Sequence, residues 1–424
     1  MKFMTYYKSI LLSLLCLGLW ATASESPLQA KGKRAALDLD AYFDNQAISI
    51  YDADSICFYQ RGSDKYASLL NDMRQARHHI HCEYFIFAND SIARAVLDVM
   101  RQKAKEGVKC RLLIDGYYDR QRGYNYHHRL RQLEKLGIET KIYEPYVFPF
   151  VHRVLRDHRK IVVIDGKIAY TGGFNVADYN WKGKPGVYGG YVDTHVRLEG
   201  SCVEGLQFLF GEHFEKAGGT GFDGPAFYPY TDADNRGVGN REVVILERGR
   251  QCKSKKAELR RALVAFIDAA QDSLHIASPY LLPPPSVRRA LRRALRRGVQ
   301  VEVLFSEKGD TPLFDAGNLY YSRRLQRRGA EVWLFNGAFQ HSKVLMEDGR
   351  RSMVGSVNMD YRALRWNEEV AVVLADTTAT QWLDSAFVND QLNSTKMSTE
   401  YYRKMPFSRR TKGFFANYFL SWCL

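Results

Sequence analysis

The sequence predicts an α/β protein built from two tandem α/β lobes, each a mixed, mostly parallel sheet flanked by helices. A strand–helix–strand pattern occurs twice, and a short motif with histidine and lysine occurs twice with identical spacing. The length of 424 residues is also sufficient for one large duplicated unit. We expect the lobes to be related by pseudo-twofold symmetry, so that equivalent positions meet between them.

The strand–helix–strand pattern covers Ala76–Asp115 and Ala270–Ser306. In each copy a short strand ends at an aromatic residue, and an amphipathic helix follows. Each helix closes on a glycine, Gly107 or Gly298, before a second apolar strand begins. Such β-α-β units imply parallel strands joined by a right-handed crossover.

Composition divides the chain into segments. Residues 216–241 are rich in glycine, proline, aspartate and asparagine, which is typical of a linker. We assign residues 36–215 to the first lobe and 242–400 to the second, followed by a basic aromatic tail at 401–424. Residues 1–23 combine lysines, a short apolar run and Ala-Thr-Ala, which predicts a signal peptide or N-terminal anchor. The leader favours an exported or membrane-associated protein at the periplasmic face of a bacterial cell membrane.

Charge indicates the kind of partner. The net charge of +14 suits an anionic partner such as a membrane surface or nucleic acid. The arginine-rich run at 286–298 allows two interpretations: the solvent side of a surface helix, or a surface for phosphate or anionic headgroups. The basic run at residues 323–328 allows the same two interpretations. The tail at 401–424 fits either a helix packed on the domain or a segment at the bilayer interface.

The repeated motif reads "HRKIVVIDGKIAYTGGFN" at residues 158–175 and "HSKVLMEDGRRSMVGSVN" at 341–358. Both copies place histidine, lysine, aspartate, a glycine pair or Gly-Ser, and asparagine at the same intervals. On a strand, positions i and i+2 share a face, so each histidine should project beside its lysine. Each aspartate precedes a glycine, which is also ordinary hairpin-turn chemistry.

Two histidines brought together can divide the work of phosphoryl transfer. One attacks as the nucleophile, and the other donates a proton to the leaving group. Lysines and asparagines around them would neutralise and orient a phosphoryl group. Because the lysines would supply the positive charge, we expect no metal and no cofactor.

The motif, twice in one chain, resembles the signature of the phospholipase D superfamily. The stretches "YVDTHVRLEG", "GSVNMDYRALRWNEEV" and "SPYLLPPP" are similar to bacterial cardiolipin synthases, over roughly residues 80–374. The resemblance implies one active site between two phospholipase D-like lobes. The leader departs from this family, whose typical bacterial members begin with two transmembrane helices.

The resemblance also implies roles for individual residues. His158 would form the phosphohistidine-type intermediate, and His341 would act as general acid and then base. Asp193 and Glu369 fall where the family places acidic residues that orient the histidines. The motif's other catalytic and phosphate-binding residues are Lys160, Lys343, Asn175 and Asn358, which would hold the phosphate oxygens, and Asp165 and Asp348, in a supporting or structural role.

The reaction expected from the resemblance joins two phosphatidylglycerol molecules into cardiolipin and glycerol. Hydrolysis of phospholipids to phosphatidic acid, as by a phospholipase D, stays open because the same residues serve both. A nucleic-acid phosphodiesterase is less favoured, since nucleases of this superfamily commonly carry one motif and dimerise. A non-catalytic membrane-binding protein is also disfavoured, because both motifs are complete. The expected partners are anionic phospholipid and a membrane surface; nucleic acid is disfavoured, and the oligomeric state is left open.

Overall fold

The fold is described from a computed structural model that covers residues 36–116, 126–143, 156–182, 190–230, 241–249 and 258–420. The predicted leader and the end of the predicted tail lie outside the described residues. The elements of the first part of the chain are α1 (Leu39–Asn45), β1 (Ile50–Asp52), β2 (Ser55–Tyr59), α2 (Gly62–Gln75), β3 (His79–Tyr84), α3 (Ser91–Lys105), β4 (Lys109–Asp115), α4 (Tyr126–Lys135), β5 (Ile138–Tyr143), β6 (Lys160–Ile164), β7 (Ile168–Gly172), α5 (Tyr179–Lys182), β8 (Tyr191–Val192), β9 (His195–Glu199) and α6 (Cys202–Lys216).

The second part of the chain contributes a matching series. Its elements are β10 (Glu242–Arg248), α7 (Glu258–Ala269), β11 (Ser273–Ala277), β12 (Leu281–Leu282), α8 (Pro285–Arg297), β13 (Gln300–Ser306), α9 (Pro312–Gln326), β14 (Glu331–Phe335), β15 (Phe339–Gln340), β16 (Val344–Glu347), β17 (Arg351–Gly355), β18 (Met359–Asp360), α10 (Tyr361–Arg365), β19 (Glu369–Ala375), α11 (Thr377–Leu392), β20 (Ser394–Lys396), α12 (Thr399–Lys404) and α13 (Phe407–Phe415), followed by a π-helical turn at Ala416–Leu420.

Local sequence explains the boundaries of the two crossover helices. The side chain of Asp90 caps α3 by accepting a hydrogen bond from the amide of Ala93. Gly107 follows the end of α3 with φ +90°, and Gly298 ends α8 with φ +94°. Only glycine adopts this left-handed conformation without strain, so both predicted helix ends are confirmed.

Two sheets repeat one strand order. The seven-stranded sheet runs β2-β9-β7-β6-β3-β4-β5, and the nine-stranded sheet contains β10-β19-β17-β16-β11-β13-β14 with β1 and β20 at its edges. Each strand of the first series therefore has a counterpart in the second. The predicted α/β class and the tandem repeat are confirmed. The predicted lobe boundaries stay a prediction, and β1 from the first part of the chain pairs with β10 of the other sheet.

The prediction that the sheets are mostly parallel is wrong. Within the described residues of the two large sheets, parallel pairing is confined to β3-β4-β5 and β11-β13-β14. The remaining neighbours in those sheets, including β6-β7 and β16-β17, run antiparallel. In each motif the Asp-Gly turn folds the chain directly back, so that β6-β7 and β16-β17 form hairpins where a parallel sheet would need a crossover.

The core lies in three layers. One apolar cluster covers the outer face of the first sheet beneath α2 and α3, and another covers the second sheet beneath α7, α8 and α9. A third cluster joins the inner faces of both sheets with α6 and α11. Because the sheets share this inner core, residues 36–424 form one compact unit. Among the described helices, none has both the length and the apolarity that crossing a membrane requires.

Candidate active site

Each motif histidine lies two or three residues before a strand, β6 or β16. The prediction that each histidine shares a strand with its lysine therefore needs correction, because β6 begins at Lys160 and β16 begins after Lys343. The backbone there remains extended, and each lysine ammonium donates to the carbonyl of its own histidine, His158 or His341. The histidine and lysine of each motif thus project together as expected.

The residues around each histidine pair with backbone from the other half of the chain. Near the first, Asp157 forms a parallel bridge with Glu368, and the amide of His158 donates to the carbonyl of Glu368 over 2.9 Å. Near the second, β15 pairs in parallel with β8, and the amide of His341 donates to the carbonyl of Val192 over 2.7 Å. These reciprocal crossings place both histidines at the junction between the two sheets.

A buried carboxylate from the opposite half holds each imidazole. His158 Nδ1 lies 3.0 Å from Glu369 Oε2, and His341 Nδ1 lies 2.6 Å from Asp193 Oδ2. Both acids are 0% exposed. Since a carboxylate only accepts, each Nδ1–H donates and each Nε2 keeps its lone pair. The structure thus places Asp193 and Glu369 where they orient the two histidines, crosswise between the halves.

The two carboxylates have different support. Ser356 Oγ donates to Glu369 Oε2 over 2.5 Å. The equivalent residue in the first motif is Gly173, and a Cβ there would collide with the carboxylate of Asp193. Asp193 instead accepts a bond from the amide of Thr194 over 2.8 Å. The close approach that glycine permits at position 173 is therefore used by Asp193.

Both motif lysines are buried beside the histidines, with exposures of 0% for Lys160 and 2% for Lys343. Burial lowers the pKa of Lys160 to about 7 and that of Lys343 to about 8, although the nearby carboxylates oppose the shift. Lys343 Nζ lies 3.2 Å from His341 Nε2, the nitrogen that keeps its lone pair, and 3.8 Å from Asp193 Oδ2. An anion bound here would favour the charged form of both lysines.

Burial also lowers the pKa of both histidines. The pKa of His341 falls to about 4, first through burial and then through the charge of Lys343, against the pull of Asp193. The pKa of His158 falls through burial, opposed by Glu369 and helped by Lys160 and Lys343. The charge of Lys343 thus acts on the imidazoles of both motifs, which agrees with the crossed histidine–carboxylate pairs.

The motif asparagines lie at the same site with different partners. Asn175 Oδ1 accepts from the amide of Ile86 over 3.3 Å, and its Nδ2 donates to Tyr179 Oη over 3.3 Å. Asn358 is 6% exposed, and its Oδ1 has no hydrogen-bond partner among the described residues. A phosphate oxygen accepts hydrogen bonds, so a contact with it would come from Nδ2, the donor end of the Asn358 amide.

The structure separates the motif aspartates from the histidines. Asp165 lies five residues beyond Lys160, about 16 Å along an extended strand. Its carboxylate accepts from the amides of Arg77, His78 and His79 at 2.8–2.9 Å. Asp348 does the same for the amides of residues 271–273. Grouping these aspartates with the catalytic residues is therefore corrected: both fix the start of the neighbouring strand, β3 or β11.

Arg159 is the residue at this site that sequence reasoning missed. Its guanidinium is 0% exposed and contacts four carboxylates at 2.8–3.1 Å. These are Glu83, Asp157, Glu247 and Glu368. Asp157 and Glu368 immediately precede His158 and Glu369, so the cluster fixes one histidine–carboxylate pair across both halves. The available signal was an arginine inside an otherwise apolar strand motif.

The fold and site define a class: a two-half α/β enzyme of the phospholipase D type, with paired histidines for phosphoryl transfer. The family described as "Cardiolipin synthase, PLD-like domain" matches residues 69–184 and 263–391. The chain belongs to this family, as the sequence resemblance predicted.

Relatives and solved structures agree with this assignment. The chain is 32% identical to "Probable cardiolipin synthase YwiE" of Bacillus subtilis, over 85% of this chain and 70% of that protein. It is 30% identical to "Cardiolipin synthase" of Listeria welshimeri, over 81% of this chain and 70% of that protein. Phosphatidylserine synthase of Haemophilus influenzae Rd KW20 superposes with a TM-score of 0.70 at 15% identity, over 91% of this chain and all of that one. At that identity the likeness shows the fold alone.

Proposed function

We propose that the protein is a phosphatidyltransferase that joins two phosphatidylglycerol molecules into cardiolipin and glycerol. The observation that carries the proposal is the crossed pair of histidines, each held by a carboxylate from the opposite half and flanked by a buried lysine. Membership of the family and the names of the relatives support a phospholipid substrate and a transferase reaction.

In the first step His158 attacks. Glu369 holds the Nδ1–H, so Nε2 directs its lone pair at the phosphorus of phosphatidylglycerol. The phosphorus–oxygen bond to the glycerol headgroup breaks as His341 gives a proton to that oxygen. Glycerol leaves, and the phosphatidyl group stays on His158. Lys160 and Lys343 offset the negative charge that builds on the phosphate oxygens.

In the second step the headgroup hydroxyl of another phosphatidylglycerol loses its proton to His341 and attacks the phosphorus. The phosphorus–nitrogen bond breaks, which restores neutral His158 and releases cardiolipin. Water at the same position would give phosphatidic acid, so the acceptor alone separates transfer from hydrolysis.

Substrate binding prepares His341 for its role as an acid. In the site without an anion, burial and the charge of Lys343 keep this imidazole neutral at physiological pH. A phosphodiester brings a negative charge that opposes Lys343 and raises the pKa of His341. The proton needed for the leaving group is therefore taken up together with the substrate.

Lipid products test the proposal. The full-length chain and its variants are incubated with phosphatidylglycerol vesicles, and lipids and free glycerol are measured by mass spectrometry. Wild type should give cardiolipin and glycerol, and His158→Ala should give neither. His341→Ala should give no cardiolipin and at most about one glycerol per enzyme, because the intermediate forms slowly and is not passed on. His275→Ala is the matched control, because His275 pairs with Asp384 over 2.8 Å outside the site. Phosphatidic acid as the product would make the enzyme a hydrolase, and no lipid product would contradict the proposal.

We also propose that the enzyme works on the periplasmic face of a bacterial membrane. The support is the leader pattern in residues 1–23, which favours export or anchoring. Fractionation of the host cells with an antibody to the chain tests this, and recovery from the cytoplasm alone would contradict it.

A further inference from the structure

A pocket of about 170 Å³ lies between α8, α9 and the turn after α13, apart from the histidine site. Arg288, Arg289 and Arg292 line it from α8, and Arg324 and Arg328 line it from the end of α9. Among the described residues that line the pocket there is no carboxylate. The pocket is therefore a concentrated positive site on the surface of the second half.

The arginines of α8 divide into two groups. Arg293 and Arg297 face α7, where both pair with Asp268. Arg289 and Arg292 line the pocket, and the guanidinium group of neither has a hydrogen bond or ion pair with another described residue. Arg293 and Arg297 thus stabilise the packing of α8 on α7, whereas Arg289 and Arg292 are placed to bind an anion.

Exposed aromatic side chains lie along α13 and the turn after it, which reaches the pocket at Tyr418. Phe407 is 74% exposed, Phe415 54%, Tyr418 49% and Phe414 40%. The ring of Phe414 contacts that of Tyr418 at 4.9 Å. Large apolar side chains standing in water next to basic ones are typical of a surface that enters the bilayer interface.

Packing holds the aromatics and the arginines as one surface. Gly413 presses α13 against α9 so closely that a Cβ would meet the carbonyl of Ala316. Tyr418 Oη accepts a hydrogen bond from Arg324, and Arg288 donates to Asn417 Oδ1 over 2.7 Å. The surface is thereby set before any ligand arrives.

The surface belongs to the same part of the fold as the active site. The helix α8 begins three residues after β12, which pairs with β18 next to Asn358. The helix α9 follows β13, whose last residue, Ser306, accepts a bond from Gln340 beside His341. Both helices therefore start at the edge of the second sheet where the site lies.

We propose that the five arginines bind anionic phospholipid headgroups while Phe407, Phe414 and Phe415 enter the acyl boundary of the bilayer, so that the enzyme docks beside its active site. The phosphate of a lipid headgroup fits the planar guanidinium groups. Exposed phenylalanines favour a bilayer over a nucleic acid, whose backbone would leave them in water. The docking surface lies outside the phosphatidyl-transfer residues, so it adds to the proposed function without depending on it.

Flotation of the full-length chain with vesicles tests the proposal. The vesicles contain phosphatidylcholine with or without phosphatidylglycerol, and the bound fraction is measured at several salt concentrations. Arg292→Glu should weaken binding to phosphatidylglycerol vesicles roughly 25-fold, because each basic group at such a surface contributes about fivefold and a reversal counts twice. Phe415→Ser should weaken it roughly tenfold. His158→Ala should bind like wild type, which separates docking from catalysis.

Arg94→Glu is the matched control, since Arg94 is exposed on α3 in the first half and does not line the pocket. It makes the same charge change and should leave binding within about twofold of wild type, because it lies outside the docking surface. Arg289→Glu repeats the main test at an exposed position of the pocket. Equal losses in Arg292→Glu and Arg94→Glu would overturn the proposal, because only net charge would matter. Arg292-dependent binding of inorganic phosphate or single-stranded DNA, with vesicle binding unchanged, would also overturn it.

Discussion

Replacing Arg159 with methionine removes the one cation that four buried carboxylates share. Methionine keeps much of the volume, so the change isolates the charge. His213 still contacts Glu83 and Glu247. Burial and the charge of Arg159 lower the pKa of His213, but these two carboxylates outweigh them and raise it to about 9. Asp157 and Glu368 lose their guanidinium contacts inside the protein. Breaking a buried ion pair in this way costs about 3–5 kcal/mol.

Urea unfolding of the full-length chain measures the loss, with Arg351→Met as the matched control. Arg351 pairs with Asp40 at the surface, where an ion pair contributes about 1 kcal/mol or less. The penalty in Arg159→Met should shrink as the pH falls, because protonated carboxylates no longer need the guanidinium. Phosphatidyl transfer should fall as well, since Asp157 and Glu368 precede His158 and Glu369. Stability within about 1 kcal/mol of wild type, with activity retained, would refute the reasoning.

Three further outcomes follow from the site. Asp165→Ala should cost about 2–3 kcal/mol in urea unfolding through three lost amide contacts, yet leave the pH dependence of transfer unchanged; a shifted pH profile would contradict this. Gly173→Ala should push Asp193 away from His341, lower kcat about tenfold or more, and cost about 1–3 kcal/mol in unfolding because the new Cβ overpacks a buried site. A normal kcat would show that the close approach of Asp193 to residue 173 is unimportant. In a pH series, kcat/KM should decline from about pH 7 upward, because Lys160 and then Lys343, with pKa values lowered to about 7 and 8, lose their protons. A kcat/KM that stays constant between pH 7 and 9 would show that the lysines stay charged.

The histidines and lysines could be predicted because the information is local. A spacing of two residues keeps His158 beside Lys160 in any extended backbone, whether or not a strand is formed there. The duplication of that spacing was enough to expect a shared site. The same local signal was ambiguous for Asp165, since an aspartate before a glycine serves a turn as readily as a reaction.

The contacts between the halves could not be predicted in the same way. The bridge between Asp157 and Glu368 joins residues far apart in the sequence, and nothing near either position specifies its partner. Arg159 was overlooked for the same reason, since three of its carboxylates come from distant strands or loops. The β-α-β units predict parallel strands, but the Asp-Gly hairpins that follow them add antiparallel strands to the same sheets.

The central claim is that His158 carries the phosphatidyl group while His341 moves the proton. The most direct measurement uses His341→Ala, in which the intermediate should form slowly and its transfer should be slower still. The variant is incubated with phosphatidylglycerol, quenched at alkaline pH to preserve a phosphorus–nitrogen bond, digested and analysed by mass spectrometry. The account predicts a phosphatidyl group on the peptide that contains His158. A phosphatidyl group on the peptide that contains His341 in the converse variant, His158→Ala, with none on His158, would contradict it.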